Sequence, residues 1–224
     1  MLVFTNYQSS SVGTSPSNDP QTYINLLSKD IPSLIAALND PNGNSGTIAA
    51  LKAKVQADAQ GLMGLVSQFD QYPIAQSYIL EANYKLANYF QSGGTTSDLV
   101  GILAGFETSS WGQSSYCSQD AGRMAAIYNA NILMYASQMI GNKGQNYNLT
   151  QSDQLDLYKE MIGAYQAIQG LALPAAASGN INDLATPIGD LENAVNNNQL
   201  VDPSVIDRIG NDAFYIPGDV NGPE

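Results

Sequence analysis

The chain has 224 residues, only 12% of them charged, and 20 acids against 8 bases leave a formal charge of −12. Eight dispersed bases cannot build the phosphate-facing patch that a nucleic-acid binder needs, and an anionic lipid surface would repel the same chain. With no histidine and one cysteine, imidazole catalysis, histidine metal sites and intrachain disulfides are excluded by inventory.

An apolar share of 44% is ordinary for a globular protein, so packing must hold the fold, behind a surface of Asn, Gln, Ser, Thr and Tyr. The opening eighteen residues, MLVFTNYQSSSVGTSPSN, carry no charged side chain and include five serines. They show no helical period and read as a disordered segment, residues 1–18. Neither a basic n-region nor an apolar h-region is present, so no cleavable signal peptide is expected. Asp19-Pro20 then marks a helix start, an acceptor cap followed by Pro at the first helical position.

DPNGNSGTIAAL at residues 40–51 invites comparison with a calcium loop. Asp40, Asn42 and Asn44 match three ligand positions, but Ser45 stands where the turn needs Gly and Leu51 where a bidentate Glu is required. A turn ending in a helix cap is the better reading. After Thr47, the residues Ile48, Leu51, Val55, Ala59, Leu62, Val66 and Phe69 form one stripe of roughly six turns, with Lys52, Lys54 and Gln56 off it. Gly61 and Gly64 inside it would let a neighbouring helix approach.

Pro73 opens a second long helix with a wide apolar face: Ile74, Tyr78, Ile79, Ala82, Leu86, Tyr89 and Phe90. The glycines of SGG at 92–94 stop it. A short helix over 98–106 leads into the connector ETSSWGQSSYCSQD, and residues 120–140 form another long helix. A further one, capped by Ser152 or Asp153, carries Leu155, Tyr158, Ile162, Tyr165 and Ile168 and ends by Pro174. Thr186-Pro187 and Asp202-Pro203 read as two more capped starts. No stretch alternates as a strand would, and none approaches the ~20 apolar residues of a membrane span. GDVNGPE at the end again resembles a broken calcium loop, through Asp219 and Asn221, and reads as a tail.

Chemistry-bearing constellations are sparse. Glu107 and Asp120 flank the connector and are the one carboxylate pair worth considering for acid–base work; otherwise the acids sit at helix starts, where they favour the dipole. Cys117 reads as a buried thiol, with an intermolecular disulfide as the alternative. Asn148-Leu149-Thr150 fits the N-glycosylation pattern. Thirteen tyrosines are the unusual positive feature. Tyr128, Tyr135, Tyr158 and Tyr165 fall on inner stripes, whereas Tyr72, Tyr116, Tyr147 and Tyr215, with Trp111, fall in loops or at helix edges as amphipathic anchors.

In composition the opening stretch is similar to the N-termini of bacterial type III secretion substrates, rich in Ser, Thr and Asn without a cleavable apolar core. The similarity spans less than a tenth of the chain and assigns no family. It implies an export address for a machine that threads unfolded chains.

The expectation is an all-α protein, a bundle of four to five long helices with short helices at both ends. It comprises a disordered segment 1–18, a single domain 19–216 and a flexible tail 217–224. The expected role is non-enzymatic, with no catalytic residue, cofactor or metal. The chain would act through protein partners as a homo-oligomer or filament, outside the producing cell and without a cleavable signal peptide. Interaction candidates are Trp111, Tyr116, Tyr147 and Tyr72. The alternatives are a virion structural protein and a hydrolase-like enzyme built on the carboxylates near Trp111.

Overall fold

A computed structural model describes residues 17–223, and the regular elements among them are helical. They are α1 (Pro20–Asn39), α2 (Ser45–Gly64), α3 (Pro73–Ser92), α4 (Thr96–Ser109), α5 (Ala121–Ile140), α6 (Gln151–Ile168), α7 (Ala175–Asp183), α8 (Ala185–Asn197) and α9 (Pro203–Val220). Single 3-10 turns follow α2 at Val66–Phe69 and α4 at Ser110–Gln113. Most of the disordered segment expected at 1–18 lies outside the described residues. Its last two members are tied down: Ser17 N–H donates to the Tyr23 hydroxyl at 3.2 Å, and Asn18 C=O accepts from Gln68 at 3.1 Å.

Local chemistry sets the helix starts. Asp19, Asp120 and Asp202 each accept a backbone N–H of the first turn, and Pro20 and Pro203 sit at the first helical position. Two capping boxes, Thr95 with Asp98 and Thr150 with Asp153, start α4 and α6. The cap of α6 is therefore Thr150 rather than Ser152 or Asp153, and α2 is capped by Asn44 and starts at Ser45, ahead of Thr47. Thr186 caps nothing, because Pro187 is the third residue of α8, which follows α7 after Leu184 alone. Pro174 opens α7 instead of closing α6.

The ends depart most from expectation. In place of short helices stand α1, of 20 residues with Pro32 inside, and α9, of 18 residues with Pro217 inside. A proline in a helix interior removes one hydrogen bond at a cost of ~3 kcal/mol. In α1 the burial of Ile24, Leu27, Ile31, Leu34 and Ile35 on both sides of Pro32 outweighs it. The segment set apart as a tail from 217 begins inside α9. There Val220 is buried, and Arg123 of α5 donates to the carbonyls of Val220 and Gly222 at 2.7 and 2.8 Å.

α4 is packed by α3, α5, α1 and α6, while α5 also carries α9 and α6, and α7 and α8 close over α9. Two glycines set close crossings. A Cβ on Gly61 would lie 2.2 Å from the Tyr23 ring, so α2 rests its backbone on α1, as the stripe implied; Gly64 faces open space. A Cβ on Gly210 would lie 3.0 Å from Ser137 Cβ, where α9 crosses α5. The buried apolar side chains of the helices join in one continuous core. No helix among the described residues is long and apolar enough to cross a membrane.

Candidate functional site

The connector after α4 folds back on the molecule. Gly112 is buried against α3, where a Cβ would lie 2.1 Å from Ala75 Cβ, and this seats Trp111 half-buried on the core. Tyr116 is 46% exposed, with the Arg123 guanidinium 5.6 Å from its ring centre. Cys117 is fully buried, and burial pushes its thiol up from the ordinary value. Tyr72 is half-buried at the start of α3. Tyr147 is buried, its N–H held by Asn142 at 3.1 Å. It lies past the far end of α5 from the connector, ~30 Å of helix away. Trp111, Tyr116, Tyr147 and Tyr72 therefore form no common surface.

Nor do the two carboxylates converge. Glu107 turns inward to hydrogen-bond the hydroxyls of Ser28 on α1 and Tyr135 on α5. Burial first, and then the Glu107 charge, push the Tyr135 hydroxyl far up. Asp120 caps α5 and pairs with Arg123 at 3.4 Å. Tyr135 is fifteen residues further along α5 than Asp120, or about 22 Å. The broken calcium loops have their carboxylates engaged by other bonds: Asp40 accepts from Asn42 N–H at 2.9 Å, and Asp219 of α9 from the Asn180 amide of α7 at 2.6 Å. No group of three metal-ligating side chains occurs among the described residues.

The structure instead opens a groove of about 420 Å³ between α3 and α5 over the backbone of α4. Its floor is lined by Gly101 and Gly105, one turn apart on α4; at Gly105 a Cβ would lie 3.0 Å from Ala82 Cβ of α3. Its walls are Ile74, Tyr78 and Ala82 of α3 and Tyr128 of α5, the two tyrosine rings tilted at 35° with centroids 5.4 Å apart. Glu81 and Lys85 pair at 2.8 Å along it.

Burial, then Tyr128 and Glu81, raise the Tyr78 hydroxyl to about 12; burial likewise raises Tyr128 against the opposing charge of Lys85. Burial works against the Lys85 ammonium, but Glu81, Tyr128 and Glu160 together raise it. The groove thus offers the hydroxyls of Tyr78, Tyr128 and Ser77, one cation and one carboxylate on apolar walls. A second hollow of about 270 Å³ continues past Lys85 between Tyr89, Asp98 and Ile102.

Beside the groove, Leu80 and Tyr84 stand one turn apart on the next strip of α3, 44% and 60% exposed. The wide face read in the sequence, Ile74 to Phe90, is buried or half-buried and includes neither residue. The groove itself had no signal either, since spacing does not show which glycines of α4 lie opposite a gap.

A buried acid pair was also invisible in sequence. Asp30 of α1 and Asp58 of α2 meet within the α1–α2 seam, with Lys54 paired to Asp30 at 2.9 Å. The one available hint was Asp58 standing beside Val55, Ala59 and Leu62 on the inner side of α2. Compared with protein-family models, curated proteins and solved structures, the chain matches none.

Proposed function

We propose that this chain is a non-enzymatic helical-bundle protein that acts through protein–protein contacts, with the α3 face and the adjoining groove as its contact surface. The carrying observation is the apolar surplus of α3: Leu80 and Tyr84 stay exposed beside a groove walled by Tyr78 and Tyr128. Half-buried tyrosines with a polar tip, and an exposed apolar strip beside them, are the composition of contact surfaces. The groove's titratable groups support binding more than catalysis, because burial raises the Tyr78 and Tyr128 hydroxyls still further above neutral pH and keeps both protonated. The expected setting is an exported or assembled one, as the opening stretch of the chain implies.

Sedimentation over a hundredfold concentration range tests the reading. Association that the L80S/Y84S double variant abolishes supports it; a monomer throughout, together with no partner bound by wild type and lost by the variant, overturns it. The export part is tested separately by deleting residues 2–16, which spares the anchored Ser17 and Asn18. Loss of export with unchanged folded body is expected, and unchanged export sinks it.

A further inference from the structure

α2 is a long helix held by little. Of its 20 residues, four are buried: Val55, Asp58, Ala59 and Leu62. It rests chiefly on α1 and only marginally on α3 and the 3-10 turn after it. One of those four buried side chains is a carboxyl. It faces a second buried carboxyl, Asp30, whose Oδ1 accepts a hydrogen bond from Lys54 at 2.9 Å while its Oδ2, 2.9 Å from the same ammonium, accepts none. Asp58 Oδ2 is buried with no donor in reach.

Charge arithmetic then decides the seam. Two carboxylates and one ammonium carry a net negative charge when all are ionised, and are neutral when one carboxyl keeps its proton. A protonated Asp58 also supplies the hydrogen bond to Asp30 that two bare carboxylates cannot make. The charged groups acting on Asp58 are Asp30 from α1 and Lys54 from α2 itself; none comes from α3 or from the turn Val66–Phe69.

We propose that Asp30, Asp58 and Lys54 form a proton-operated latch that holds α2 on α1 while one proton is kept in the seam and lets α2 undock when it leaves. Burial first, then the hydrogen bond and charge of Asp30, raise the Asp58 carboxyl to about 7, against the opposing pull of Lys54. The raised value fixes the sign. Undocked, Asp58 returns to the ordinary carboxylate range, so the docked state is favoured most below about pH 4. It then loses up to roughly tenfold per pH unit until about pH 7, where the loss levels off. The connections allow the movement: turn 40–44 on one side, and Gly64 with open space around it on the other. Undocking uncovers the face of α1 that Val55, Ala59 and Leu62 cover.

Hydrogen–deuterium exchange of the full chain at pH 5 and pH 8, corrected for intrinsic exchange, reads the latch directly. The protection of α2 amides should fall by at least tenfold between the two while that of α5 amides holds. D58N removes the titrating group and should abolish the pH response of α2, whereas D30N removes the hydrogen bond and charge of Asp30 but not the burial and should shrink it. If one variant fails to fold, the other and the wild-type series still decide. Protection in α2 that tracks α5, that is missing already at pH 5, whose pH response survives in folded D58N, or whose pH response is undiminished in folded D30N overturns the proposal.

Discussion

α2 and α4 show what helical periodicity does and does not report. α2, with its regular stripe, is the easiest helix to read in the sequence, yet it buries four side chains in 20 residues. α4, apolar nearly all round and readable only as a short helix, buries nine in 14 and is packed by α1, α3, α5 and α6. A clean stripe is the signature of one covered side, whereas a helix at the centre has no polar face to set the period off. Contrast in the pattern thus rises as depth in the core falls.

The largest expected effect tests the centre. Phe106→Ala in α4 removes a fully buried ring and should cost about 3–5 kcal/mol in denaturant unfolding. The matching change at the edge, Leu62→Ala in α2, should cost about 2 kcal/mol, the low end for a buried leucine, because α2 can settle toward α1. Equal costs would break the contrast and make α2 as central as α4.

A smaller effect depends on pH. Asp58 is raised when folded, so its contribution is present at low pH and lost as pH rises toward about 7. Urea titrations at pH 4 and pH 8 should show wild type losing at least about 1.4 kcal/mol, a factor of ten, relative to Asp58→Asn, with the variant the more stable at pH 8. The reverse order would place the carboxylate in a favourable ionised pair. The smallest effect is on the α3 surface, where the paired change of Leu80 and Tyr84 to Ser should alter stability by under about 0.5 kcal/mol. A larger loss would show that the strip supports the fold.

The sequence by itself determined what local chemistry controls. Asp19-Pro20, Asp120 and Asp202-Pro203 start helices because an acceptor side chain beside free N–H groups needs no tertiary partner. The spacing of Val55, Ala59, Leu62 and Phe69 marked the buried side of α2 and the turn after it for the same reason. Only the tertiary structure decided the rest. Pro32 and Pro217 punctuate the sequence, yet α1 and α9 run through them, since burial on either side exceeds the loss of one hydrogen bond. Tyr147 looks like a loop anchor and is core, and Glu107 and Asp120 look paired, yet Glu107 of α4 bonds Tyr135, far along α5 from Asp120. Asp30 and Asp58 share no sequence signal and meet in one seam, while Gly101 and Gly105 become a groove floor only where α3 and α5 stand apart. Each of these depends on what lies opposite across a helix interface, a distance in space that no spacing along the chain records.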